Sequence, residues 1–155
     1  MTMIQIFDDQ GQAQAVSATS LIFRPAIYGI YIEYDQILLI RNQETQLLLP
    51  PGRIVTENEV PTQAIRHYFQ ELVHITPDLG PLLFIENQYR QENGRFWQLA
   101  VLYYALERPS TASIHFTTAD DAPLQPEWLP LDSLDLPMFA FGYEAVQAGK
   151  LHYQL

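Results

Sequence analysis

Between Pro61 and Val73 the apolar residues change rhythm, and that change constrains the fold more than any other feature of the chain. Ala64, Ile65, Tyr68, Phe69 and Leu72 recur at helical spacing, with Gln63, Arg66, His67, Gln70 and Glu71 opposite them. This is an amphipathic helix. Pro61 suits its first turn, and Asn58 or Glu59 is expected near the N-cap. On both sides the pattern is that of strands. Upstream, 26–33 is dense in β-branched and aromatic residues, Tyr34-Asp35-Gln36 turns the chain into 37–40, and a polar loop leads to 46–49. Pro50-Pro51-Gly52 stops that last strand. Downstream, 82–91 and 96–106 flank Asn93-Gly94, the dipeptide favoured in a type I′ hairpin turn. A short strand is expected over 113–118, and 126–134 reads as a strand ending at a turn. A final helix is expected from about Met138 to Gly149, from the spacing of Phe139, Tyr143 and Val146. One helix bracketed by strands implies a mixed sheet with helices packed on it.

Composition narrows the function. The 155 residues suffice for a buried core, and no repeat or linker divides them, so a single domain with its core at about 22–150 is expected. The absence of cysteine excludes a disulfide framework, a thiolate zinc site and a cysteine nucleophile, and it agrees with a reducing compartment. No basic region precedes an apolar run at the N-terminus, and the apolar runs are too short to span a membrane. The expectation is a cytoplasmic protein with no membrane partner. Eighteen acids against eight bases give a formal charge of −10, and the bases are scattered, which disfavours a nucleic-acid polymer as partner. Small anionic ligands remain compatible, because a few arginines in one pocket can outweigh the global field.

The order strand, turn, strand, Pro-Pro-Gly loop, helix, hairpin resembles the Nudix hydrolase (MutT-like) family. The resemblance runs through Arg24-Pro25-Ala26, Ile37 to Arg41, Leu48-Leu49-Pro50-Pro51-Gly52, Ala64-Ile65-Arg66 and the segment from Glu127 to Leu134. It covers roughly residues 22–150. It implies a Nudix-type α/β/α sandwich with a central mixed β-sheet. The implied activity is hydrolysis of a nucleoside diphosphate linked to another moiety, by cleavage of the pyrophosphate bond. Such chemistry uses divalent cations to neutralise phosphate oxygens and activate water, and magnesium prefers carboxylate oxygens.

The family's box is G-x5-E-x7-R-E-U-x-E-E-x-G-U, U being a bulky aliphatic residue. Laid on without gaps, Gly52, Arg66 and Glu71 match, while Asn58, His67 and Gln70 replace glutamates, Val73 the second glycine and His74 the closing aliphatic. A second register, with one residue added in the helix and Arg53 in the glycine place, aligns Glu59, Glu71 and Ile75 instead. It puts His67, Tyr68 and Leu72 where the arginine and two metal carboxylates belong. The gapless register is preferred, because its polar residues fall where the family points polar groups into the site. Either way Glu71 is the only carboxylate between residues 60 and 75, and the box is degenerate.

The resemblance therefore marks Glu71, Arg66, His67 and Gln70 as candidate catalytic residues and Glu71, Glu57 and Glu59 as candidate metal ligands. Arg66 is expected to organise Glu57 or Glu59 by bidentate pairing. Arg24, Arg41, Gly52, Tyr28 and Tyr89 are candidate substrate contacts. His74, His115 and His152 lack ligand spacing and, like Trp128, read as structural or exposed. Three functions stay open. One is a hydrolase using Mg2+ or Mn2+; another is an inactive module binding a nucleotide or phosphorylated metabolite with no metal at all. The third is an interaction protein forming a homodimer through an apolar surface. A fold alone does not choose among them.

Overall fold

The computed structural model describes residues 2–7, 12–109 and 121–154. In chain order the elements are β1 (Met3–Phe7), β2 (Ala13–Ser17), β3 (Ile22–Glu33), β4 (Gln36–Asn42), β5 (Leu48–Leu49), β6 (Gly52–Ile54) and α1 (Pro61–Val73). There follow β7 (Asp78–Glu92), β8 (Arg95–Glu107), β9 (Leu124–Pro130) and α2 (Tyr143–Tyr153). Strands β1 and β2 form a small hairpin of their own.

Everything else is arranged about β3. One edge of β3 runs parallel to β8, from Ile22 opposite Trp97 to Tyr31 opposite Leu106. The other edge meets β6 first and β4 at its end, both antiparallel. β4 carries β5 and β9, and β7 lies antiparallel along β8, so the sheet is mixed. Because β3 is covered on both faces, its run from Ala26 to Ile32 is continuously buried. Ala26, Tyr28, Ile30 and Ile32 face a core completed by β8 and α2. Ile27 and Tyr31 face the opposite core under α1, with Leu38, Ile65, Phe69 and Leu106. Helix, sheet and helix thus form the layers of an α/β/α sandwich.

The two tight turns follow from their residues. Tyr34 and Asp35 sit at φ 52° and 62°, and Asn93 and Gly94 at 55° and 72°, the twin positive values of a type I′ turn. Several sequence expectations need correction. The N-terminal hairpin lies outside the expected core, and β3 starts at Ile22, with Pro25 inside it. The expected strand at 46–49 shortens to Leu48–Leu49, since Gln46 is left-handed at φ 62°. Val60, not Asn58 or Glu59, caps α1, and no side chain accepts a bond there. The final helix begins at Tyr143, because Gly142 sits at φ 94° and Leu136–Met138 forms a separate 3-10 turn. It runs past Gly149, where a Cβ would lie 2.5 Å from Ile30 Cγ2, so this glycine serves close packing, not termination. The expected strand at 113–118 and His115 lie outside the described residues.

Candidate functional site

The loop between β5 and β6 brings the chain back against β3 so closely that residue 52 must be glycine. A Cβ there would stand 2.1 Å from the Ile27 carbonyl oxygen and 2.6 Å from Tyr28 Cα. Gly52 is paired with Tyr28 across the sheet, and α1 follows a few residues later. The polar residues gathered around this contact are Tyr28, Arg53, Glu59, Tyr68 and Glu71. Burial raises the Tyr68 hydroxyl to about 12, with nearby Tyr28 raising it further. The Gly52 amide and the Arg53 guanidinium pull it back, while the Glu71 carboxylate pushes it up.

This neighbourhood bears on the register of the helix. The residue with φ 62° at the C-cap of α1 is His74, the conformation in which a glycine costs least. Ile75, just beyond, is buried. The register shifted by one residue puts the box's second glycine at His74 and its closing aliphatic at Ile75. It also puts Tyr68, which faces Gly52, in a carboxylate's place. His74 and Ile75 thus fit the second register, whereas the glycine required at position 52 fits the gapless one; His67 and Gln70, with Gln63, Arg66 and Thr76, line a shallow depression on α1.

The candidate acids are each engaged by another side chain, two of them by an arginine. Glu57 pairs with Arg24, and Glu59 pairs with Arg53 through two bonds of 2.6 Å. Glu71 Oε1 lies 2.8 Å from His67 Nε2. Arg66 does not organise the loop acids; its Nε donates to the Pro77 carbonyl at 3.1 Å, and Gln70 accepts from Thr76 at 2.9 Å. Among the described residues, no three His, Asp or Glu side chains converge as ligands for a metal. One carboxylate on the helix and two already neutralised in the loop do not fit the oxygen-rich cluster that magnesium takes in this chemistry.

The Arg53–Glu59 pair gives the site a testable pH signature. The Arg53 bond is the main cause holding the Glu59 carboxyl down at about 2, against an ordinary 4.5. A depressed folded-state value means the pair stabilises above about pH 4.5 and loses that contribution as pH falls toward about 2. Both side chains are under one third exposed, at 31% and 24%. After allowance for screening, Glu59→Gln is expected to cost about 1–2 kcal/mol at pH 7. Urea unfolding should show wild type and variant converging as the pH drops below 4.5.

The other candidates distribute unevenly. Arg41 is locked to Glu127 on β9 by bonds of 3.0 and 2.8 Å, at the β4 side of the sheet away from Gly52. Tyr89 is exposed and, by the alternation of β7, points away from the face that Arg90 shares with Tyr28. Tyr28 is central. It lies in the core, its hydroxyl accepts from Arg90 Nη1 at 3.0 Å, and burial raises its pKa against the pull of Arg90. The Arg90 guanidinium sits 5.7 Å from the Tyr28 ring centroid and 4.6 Å from that of Phe141. Beside it the Tyr103 hydroxyl donates to Glu86, which also accepts from Gln88. Sequence reasoning missed Arg90, Phe141 and Glu86. An alternating strand offers no sign that one of its polar residues is clasped by rings from distant segments.

No family model matches the sequence, and no curated protein is similar to it in sequence. Solved structures are similar in shape. A MutT Nudix hydrolase from Burkholderia pseudomallei superposes with TM-score 0.61 at 22% identity, over 83% of this chain and 97% of that one. An Ap4A hydrolase from C. elegans gives 0.56 at 13% identity, over 86% and 96%. A UDP-X diphosphatase gives 0.59 at 18% identity, over 88% and 66%. At such identities the likeness speaks for architecture alone. The chain has the Nudix fold, with a mixed sheet between two helices. Among the described residues, no helix is long and apolar enough to cross a membrane.

Proposed function

We propose that this chain is a Nudix-fold binding module for a small nucleotide or phosphorylated metabolite. Its ligand is placed at the Gly52 loop, beside Arg53 and Tyr68, and needs no divalent cation. The observation that carries the reading is the state of the acids: Glu57, Glu59 and Glu71 face Arg24, Arg53 and His67. In a site that gathers magnesium, carboxylates are left in excess and the metal supplies the positive charge. Here fixed guanidinium groups supply it. Arg53 occupies the mouth of the Gly52 loop, and a guanidinium suits phosphate oxygens as well as it suits Glu59. That neighbours in fold are named for Ap4A and for UDP-X, both nucleotide derivatives, supports a ligand of nucleotide type.

Thermal unfolding tests the reading with ADP-ribose, a UDP-sugar, ADP and GDP, each with EDTA or with manganese. At a hundredfold excess over Kd, a ligand confined to the native state adds about 2.7 kcal/mol of apparent stability. The expected result is an upward shift of Tm that EDTA does not abolish. No shift with any member of the panel would overturn the reading. Manganese-dependent release of a monophosphate, lost in Glu71→Gln, would replace it with the hydrolase reading.

A further inference from the structure

The large apolar side chains that β7 leaves exposed all point the same way. Leu79, Leu82, Ile85 and Tyr89 are between 37% and 58% exposed, Ile85 the most. Residues directly opposite each other in an antiparallel pair share a face of the sheet. Leu79 stands opposite Leu106, Leu82 opposite Tyr104 and Ile85 opposite Leu102, and those three β8 residues lie in or against the core under α1. Tyr89 stands opposite Gln98, and Gln98 in turn opposite Phe23 of β3, which is 59% exposed. The five therefore share the α1 face of the sheet, beyond the stretch of Ile27 and Tyr31 that the helix covers.

Charge is sorted by the same alternation. Glu86 and Arg90 turn to the opposite face, where they meet Tyr103 and Tyr28, and Arg24 turns there too, opposite Leu99. Among the described residues, Asn87, Ala100 and Pro25 fill the row between Ile85 and Tyr89, and none of them is charged. A chain of formal charge −10 thus keeps one apolar strip clear of acids and bases. From the spacing of residues along a strand and between strands, the strip measures roughly 30 Å by about 14 Å, or about 400 Å². Contiguous exposed apolar surface of that size marks an interaction site.

The makeup of the strip chooses among occupants. It offers no charge to pair with a charged partner, and loss of charge around exposed aromatic rings is the composition of an interface centre. A bilayer fits poorly, because the strip has no lysine or arginine and anionic lipid repels a chain of this charge. A second copy fits well. Across a two-fold axis the same patch serves both sides, and a neutral face meets its twin with no like charges forced together. We propose that the strip of Leu79, Leu82, Ile85 and Tyr89, with Phe23, is the interface of a homodimer whose axis passes near Ile85. The dimer is weak: its area per copy is about half that of a standard interface, so a Kd on the order of 10–100 μM is expected. It does not depend on what binds at the Gly52 loop, which lies at the other edge of β3.

Sedimentation velocity on the full chain, from well below that concentration to well above it, tests the proposal. The expected result is a monomer that becomes a dimer across the range, more readily in high salt. Screening weakens the repulsion of two acidic chains, while the interface has no ion pair to lose. Ile85→Glu brings two carboxylates together near the axis and is expected to stay monomeric throughout, with the wild-type Tm because the position is exposed. Tyr89→Glu, further along the strip, carries the test should Ile85→Glu not fold, and it is expected to raise Kd by about tenfold or more. A wild type that stays monomeric at every concentration would overturn the assignment, as would a dimer that both variants leave intact. A dimer that dissolves in high salt would overturn it in favour of ion pairs on another surface. A monomer that sediments with phosphatidylcholine vesicles, and no longer does so as Ile85→Glu, would give the strip to a bilayer instead.

Discussion

Phe69→Ala is expected to lower the stability of this protein by about 4 kcal/mol, the upper part of the range for deleting a buried ring. Phe69 is the central contact of α1 with the sheet. It is fully buried, stacks on Tyr31 at 5.7 Å with planes 24° apart, and lies beside Ile65 and Leu106. The surroundings cannot collapse into the gap. Gly29 already lets Phe69 approach β3 so closely that a Cβ there would be 2.9 Å from Cε2, and neighbouring positions are held by the sheet. For a chain of this size each kcal/mol moves Tm by about 2–4 °C, so a loss of about 8–16 °C is expected in calorimetry. A shift below 3 °C would mean that α1 contributes little to the cooperative fold.

Gly52→Ala is expected to cost about 3 kcal/mol and to abolish ligand-induced stabilisation. The obstructing atoms belong to the backbone, Ile27 O and Tyr28 Cα, so no rotamer change relieves the contact. The β6–β3 pairing must open, carrying Arg53 and Tyr28 with it. Chemical denaturation measures the first effect, and the Tm shift with GDP measures the second. An unchanged Gly52→Ala protein that still binds would show that the loop is not part of the site.

Much of this architecture was legible in the sequence because the signals were local and redundant. The α1 stripe gives its boundaries to the residue, and Asn93-Gly94 has only one comfortable turn. The β1–β2 hairpin escaped notice because each strand has only five residues and the second, AQAVS, carries a single β-branched residue. The start of α2 was misplaced because Phe139 mimics a helical position. Its actual role is a bridge to Leu48 of β5. The register of the box could not be read from polarity, since Gln70 and His67 are as polar as the residues a metal site needs. The left-handed His74 and the burial of Ile75 favour one alignment, and the close approach that demands glycine at position 52 favours the other. Arg90 was beyond reach for a different reason. Its clamp is made by Tyr28, sixty-two positions earlier, and by a ring just ahead of α2.

The partnership of β3 with β8 sets a condition on biosynthesis. Ile22 must find Trp97, and Tyr31 must find Leu106, before the middle of the sheet exists. Closing so long a loop is slow, because the entropy is lost before the contacts form. While the ribosome is still making β8, the apolar run of β3 has α1 and β4 for company but one edge open to other chains. Nascent chains stalled short of Trp97 should therefore be the species that chaperones hold, and a finished protein should show little of that dependence.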